Sequence, residues 1–240
     1  MLQGRRRTNS RVNVDTMDHF RGRLICLAGI DGTGKTTLAK KLTSELEAAG
    51  IGCSYVWLRN ARVLSVPFLA LCYLTGFAQS VTVRGKRAGV YYFYKNKLVA
   101  HLWAWISAVD MLVVSLWKIQ LPLRRGNTVI ADRYVLDALV DLMTDTRMTD
   151  LSSYPYKLLL RRLGRRSLTV VLTVDEGESL RRKDDSISSA DLIQRRKLYL
   201  SVARELRIPV IDAKPSIEVV WSNLINVLCR QIAQLARDQS

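Results

Sequence analysis

A doubly wound α/β domain, with a parallel sheet between layers of helices, is the fold class this sequence predicts, and three observations predict it. Short continuous apolar runs recur along the chain, most of them ending in an acidic residue or a glycine. Helical patterns separate them, and the first run leads straight into a glycine-rich turn. Runs that are apolar throughout, rather than at alternate positions, mark parallel strands covered on both faces. Their alternation with helices builds such a sheet.

The first strand is expected over residues 24–28, before Gly29. A second follows Gly50 and Gly52, from Cys53 to Leu58. The others cover residues 128–131 before Asp132, 168–174 before Asp175 and 209–211 before Asp212, which makes five strands. Leu38, Leu42 and Leu46 recur every four residues after the first strand, and Gly50 is a suitable helix stop. Ile217, Val220, Trp221, Leu224, Leu228 and Ile232 form one face of a last helix, with Ser216 placed as its N-cap. In open α/β sheets ligands bind at the carboxyl ends of the strands, where Gly29, Asp132, Asp175 and Asp212 fall.

A length of 240 residues suits one α/β domain with decorations. The composition, 48% hydrophobic and 24% charged, allows a substantial core. The net charge of +16 favours anionic partners, but the arginine runs (Arg5-Arg6-Arg7, Arg161-Arg162, Arg165-Arg166) read as solvated faces. No nucleic-acid-binding motif accompanies them, so no specific nucleic acid is expected. Cys26, Cys53, Cys72 and Cys229 show no metal-like spacing and read as reduced thiols of a cytoplasmic protein. Residues 1–20 are polar and Arg-rich, with no apolar stretch of a secretory signal. They are expected to be a disordered basic tail, with Met17 a possible natural start and the folded domain covering 21–240. Two apolar segments, 63–77 and 102–117, fall short of the roughly 18 to 20 residues that span a bilayer. They are expected to be buried helices, or helix faces covered by a second subunit, and no transmembrane segment is expected.

The chemistry is concentrated in Gly29-Ile30-Asp31-Gly32-Thr33-Gly34-Lys35-Thr36, which matches G-x-x-x-x-G-K-[ST] at every fixed position. It follows a strand and opens a helix, the context that gives this phosphate-binding loop its meaning. Glycines let successive backbone N–H groups turn inward onto phosphate oxygens, and the helix N-terminus adds partial positive charge. Lys35 can reach the β- and γ-phosphates of ATP, and the Thr36 hydroxyl can ligate Mg²⁺. Asp132 ends a strand where such proteins place a carboxylate near the metal. The triplet Asp132-Arg133-Tyr134 joins that carboxylate to a guanidinium suited to an acceptor phosphate.

The loop with Thr37 added, and the triplet Asp132-Arg133-Tyr134, resemble thymidylate kinases. So do Leu180-Arg181-Arg182-Lys183-Asp184-Asp185 after a strand, Tyr199 in the next helix and the closing Val210-Ile211-Asp212-Ala213. The order holds from about Arg23 to Val219. The resemblance implies a P-loop kinase with a five-stranded parallel sheet that moves a phosphoryl group from MgATP to a nucleoside monophosphate, dTMP by default. It also implies a homodimer. Residues 29–37 would hold ATP, and Thr36 and Asp132 the metal. Asp31 would approach the acceptor sugar. Arg133 would hold the acceptor phosphate, with Arg59 as a second acceptor-facing arginine. Arg181 and Arg182 would open a short lid, near 181–192, and supply the transition-state charge that Gly32 cannot. Lys35, Asp132, Arg133, Arg181 and Arg182 are thus the expected catalytic set.

The departures concern the base. Arg59 is followed by Asn60-Ala61-Arg62 rather than Glu-Pro-Gly, Asp110 by Met111 rather than Arg, and the chain reads Val140-Asp141-Leu142 where the family has Ala-Tyr-Gln. An apolar insertion lies near 60–95, and Tyr91, Tyr92, Phe93 and Tyr94 within it are either core aromatics or a stacking surface. Two alternatives therefore stand beside dTMP: a kinase of the same fold acting on another small or apolar acceptor, and a non-catalytic nucleotide-binding subunit.

Overall fold

The computed structural model describes residues 14–59, 61–83, 86–161, 167–175, 177, 178, 181 and 189–238. Five parallel strands form the central sheet: β1 (Leu24–Gly29), β2 (Cys53–Trp57), β5 (Thr128–Asp132), β6 (Ser167–Thr173) and β7 (Val210–Asp212), in the order β2-β5-β1-β6-β7. All five runs read as strands in the sequence are strands here. β1 and β5 are buried at every position, which is why they carry no alternation. The register sets Leu27 beside Asp132 and Trp57 on its other side, so the carboxyl ends of three strands meet at one point.

The helices follow in chain order: α1 (Val14–Asp18), α2 (Lys35–Ala48), α3 (Ser65–Leu74), α4 (Lys97–Ser115), α5 (Leu121–Arg124), α6 (Val135–Thr146), α7 (Tyr154–Leu160), α8 (Ser189–Glu205) and α9 (Ile217–Arg237). α2 buries Leu38, Ala39, Leu42 and Leu46 against the sheet and ends where Gly50 takes φ 72°. Of the tail expected over residues 1–20, the described part, 14–20, is folded onto the domain. Residues 14–18 are helical, and Met17 and Phe20 are buried because both pack into the main core. Residues 1–13 lie outside the described residues.

The region near 60–95 holds α3 and an antiparallel hairpin, β3 (Ala78–Val83) with β4 (Lys86–Tyr91). Asp110, on α4, fixes α3 from below: its carboxylate accepts from the backbone N–H of Val63 (3.0 Å), Leu64 (2.6 Å) and Ser65 (2.9 Å). Burial pushes its pKa up, but Ser65 and these N–H groups outweigh burial and hold it below the usual value. Asp110 is thus an N-terminal cap in trans.

The rod that begins with α4 is longer than the apolar segment 102–117. Asn96 caps it by accepting from Leu98 N (2.9 Å), and it runs through a π-type turn, Leu116–Gln120, into α5. The whole helix, Lys97–Arg124, has 28 residues and a mean hydropathy of 1.7 over its most apolar stretch. By length and composition it is apolar enough to cross a membrane, which corrects the shorter length expected. One face, including Ala100, Trp103, Ala104, Ala108 and Met111, is buried in the core of the domain. The other face exposes Leu98, Leu102, Trp105, Val113, Leu116 and Trp117.

Candidate active site

The glycine-rich turn connects β1 to α2. Gly29 has φ 135°, and a Cβ there would lie 2.0 Å from the Leu172 carbonyl oxygen on β6, so no other residue fits. Gly34, at φ 78°, is the left-handed N-cap of α2. Lys35 is buried and curls over the loop, donating to the Ile30 carbonyl and to Thr33 Oγ1 (3.1 Å). Burial pushes its pKa down to about 8, helped by the Arg133 guanidinium; Asp137, Asp31 and Asp132 pull the other way.

Asp132 is fully buried at the end of β5. Its Oδ2 accepts from Thr36 Oγ1 (2.5 Å) and from the Tyr55 hydroxyl (2.9 Å) on β2. Its Oδ1 has no hydrogen-bond partner among the described residues. A buried carboxylate oxygen left without a donor beside a threonine hydroxyl fits a hard cation that takes oxygen ligands. No cluster of three acidic, histidine or cysteine ligands exists among the described residues. The site therefore fits Mg²⁺ carried largely by a nucleotide's phosphates rather than by a protein cage.

Arg133 follows at φ 71°, a left-handed conformation that costs energy for a bulky residue. Its N–H donates to the Leu27 carbonyl (3.1 Å), and its guanidinium pairs with Asp31 of the loop and with Asp137 Oδ1 (3.4 Å) of α6. Burial would lower its pKa, but Asp137 and Asp31 outweigh burial and hold it fully charged. Arg59, at the end of β2, reaches Asp31 (3.6 Å) and Asp141 (3.4 Å). The loop carboxylate and these two arginines thus form one connected group.

Arg181 lies apart from this group. Its side chain is 77% exposed and pairs with Glu178 (2.6 Å). Arg182, and 183–188 of the expected lid, lie outside the described residues; residues 189–192 are the first turn of α8. Asp175 and Asp212, the other strand-end carboxylates, serve the local backbone: Asp175 accepts from Glu178 N (2.9 Å) and Asp212 from Lys214 N (2.9 Å).

Several residues of the site were given no role in the sequence. Asp137 is fully buried and accepts from the Tyr199 hydroxyl (2.7 Å); burial raises its pKa. Asp141 pairs with Arg195 of α8, which also holds Asp191 (2.9 Å). Tyr55 is pushed up to about 12 by burial and by its bond to Asp132. A readable signal existed: Asp137, Asp141 and Asp145 recur every four residues, which puts three carboxylates on one face of an otherwise apolar helix. The arrangement opens onto a cleft of about 440 Å³, lined by Trp57, Arg59, Tyr91, Trp103, Met111 and Asp145 among others.

A parallel sheet ordered β2-β5-β1-β6-β7, with helices packed on it and a glycine-rich loop leading from β1 into α2, defines an α/β P-loop NTPase-like protein. A stretch of 29 residues, 12% of this chain, is 69% identical to thymidylate kinases from three strains of Xanthomonas oryzae pv. oryzae. The match spans only 13% of the length of those enzymes. No protein-family model matches the sequence. The likeness is local, and it supports a nucleotide kinase without reaching the acceptor.

Proposed function

We propose that this chain transfers the γ-phosphoryl group of ATP to a nucleoside monophosphate. The observation that carries the reading is the joined pair of sites: a phosphate loop with Lys35, Thr36 and Asp132 on one side, and Arg133 and Arg59 gathered around Asp31 on the other. Residues 29–37 hold the triphosphate by backbone N–H groups and by Lys35. Mg²⁺, bound with ATP to Thr36 and Asp132, supplies charge neutralisation at the phosphates. Arg133 and Arg59 orient the acceptor phosphate, whose oxygen forms the new bond to the γ-phosphorus while the bond to the β–γ bridging oxygen breaks and ADP leaves. Arg133 is fixed by Asp31 and Asp137 before any ligand arrives, so little ordering remains to be done on binding. Arg181 and Arg182 are proposed to bring further positive charge from the lid during transfer.

The direct test is ADP release by the purified chain with MgATP and a panel of nucleoside monophosphates that includes dTMP, the acceptor named by the resemblance. Turnover that requires both Mg²⁺ and one of the panel supports the reading. ATP binding with no acceptor-dependent release leaves a nucleotide-binding subunit instead.

The same reading includes a homodimer. Leu98, Leu102, Trp105, Val113 and Leu116 recur every three or four residues, or twice that, along the exposed face of the Lys97–Arg124 helix, and an apolar stripe of that length is suited to a second copy. The double variant Leu102→Glu/Leu116→Glu is expected to sediment as a monomer while the wild-type chain sediments as a dimer. A monomeric wild-type chain at micromolar concentration would remove the dimer from the proposal.

A further inference from the structure

The exposed half of α3 is apolar. Its other side buries Ser65, Leu69 and Cys72, with Phe68 stacked on Trp103 of α4. About half of the helix circumference presents Val66, Pro67, Ala70, Leu71, Tyr73 and Leu74 to solvent. Val63 and Leu64, in the turn before it, are exposed as well. Leu74 is 86% exposed and Leu71 56%. No residue from Val63 to Val83 is charged. A helix that faces water normally turns charged and polar groups outward, so a contiguous apolar face of this kind marks an interaction surface.

The charges around this face have one sign. From Arg59 to Val109 the sequence carries arginines and lysines but no Asp or Glu. The next carboxylate along the chain, Asp110, is fully buried and already holds the backbone N–H groups of Val63, Leu64 and Ser65. The β3–β4 hairpin runs beside α3: a Cβ on Gly89 would lie 3.0 Å from the Tyr73 hydroxyl. Lys86 and Arg87 precede Gly89 on the same strand, at the register positions of Val83 and Thr82. Arg62, which is exposed, immediately precedes Val63, and its Nη2 donates to the Tyr91 hydroxyl of the hairpin (2.8 Å). An uncharged apolar face is thus bordered by cations.

We infer that the outer face of α3 is a docking surface for an anionic lipid bilayer. Its leucines, valines and tyrosine enter the boundary between headgroups and acyl chains, while the flanking arginines and lysines meet the anionic headgroups. α3 has 10 residues, about 15 Å of helix against a hydrocarbon core of about 30 Å, so it lies in the interface and does not span it. The net charge of +16 draws the whole chain toward such a surface. A second copy is a poorer occupant, because it would set these cations against the same cations. No residue of this face belongs to the α4 stripe assigned to the dimer. The inference is independent of the kinase reading, since none of the α3 residues lines the cleft.

The test is flotation of the full chain with vesicles of phosphatidylcholine alone and of phosphatidylcholine with about 30% phosphatidylserine. Wild type is expected to partition onto the mixed vesicles roughly tenfold more strongly, and to lose most of that gain when salt rises from about 0.05 M to about 0.5 M. Leu71→Gln/Leu74→Gln leaves the net charge unchanged and alters two exposed side chains, so its thermal midpoint should match wild type. Its partition onto the mixed vesicles is expected to fall about tenfold. Wild type that floats with neither vesicle, or with both equally, overturns the inference. So does a variant that floats as wild type does, which would leave charge alone as the cause. A wild-type chain that ignores vesicles and sediments as a dimer, with the variant a monomer, gives the face to a second copy and overturns it as well.

Discussion

Replacing Lys35 with alanine is expected to lower kcat/KM by a factor on the order of 10³ or more while the chain stays folded. Mutational losses of about 10² to 10³ are seen when one preorganised donor is removed from a transition state, and Lys35 supplies a full charge as well as donors. The fold should survive because Lys35 contributes unfavourable burial in the free protein. Its pKa is pushed down to about 8, so the unfolded chain binds the proton more tightly than the folded one. Stability from this group is fully present only above the ordinary lysine pKa and is lost as pH falls through about 8. At pH 7 the alanine variant is therefore expected to be at least as stable as wild type, and its thermal midpoint should depend less on pH between 8 and 10. ATP binding should take up protons near pH 8, because phosphates favour the charged amine; calorimetry in buffers of different ionisation enthalpy measures that uptake. Wild-type turnover by Lys35→Ala would show that the loop does not hold the transferring phosphate.

The strands were legible because burial on both faces removes alternation, so residues 24–28 and 128–131 could only be interior strands. Gly29, Lys35 and Thr36 were legible because a phosphate loop constrains consecutive residues. Asp132 was readable as a strand-end carboxylate, but its bond to Tyr55 was not: that contact exists only because β2 pairs with β5 in a particular register. Arg195 lies 54 residues from its partner Asp141, and nothing local in α8 marks it. The hairpin from Ala78 to Tyr91 hides in a region whose apolar residues obey no single period. Residues 14–20 look like a charged tail because, from residue 16 to 20, only Met17 and Phe20 are buried, too few to reveal a helix by periodicity.

Arg133→Ala is expected to lower kcat/KM for the acceptor by about 10² to 10³ while ATP affinity stays within a few-fold of wild type. The guanidinium is held on two sides, by Asp31 of the loop and Asp137 of α6, and contacts neither Thr36 nor Asp132. A planar donor fixed in that way meets a phosphomonoester bidentately, which lysine cannot reproduce, so Arg133→Lys should recover only part of the loss. The variant also removes a counter-charge from Asp137, which is fully buried and keeps the Tyr199 hydroxyl as a donor. That loss destabilises the fold independently of acceptor binding. The double variant Arg133→Ala/Asp137→Asn separates the two effects: it relieves the unpaired carboxylate but restores no acceptor contact. Its thermal midpoint should rise above that of the single variant while its acceptor kcat/KM remains low. Titration calorimetry with ATP and with the acceptor decides the matter. An equal loss for both ligands would mean that Arg133 organises the phosphate loop rather than the acceptor, and Arg59, already paired with Asp31, would then be the residue that orients the acceptor phosphate.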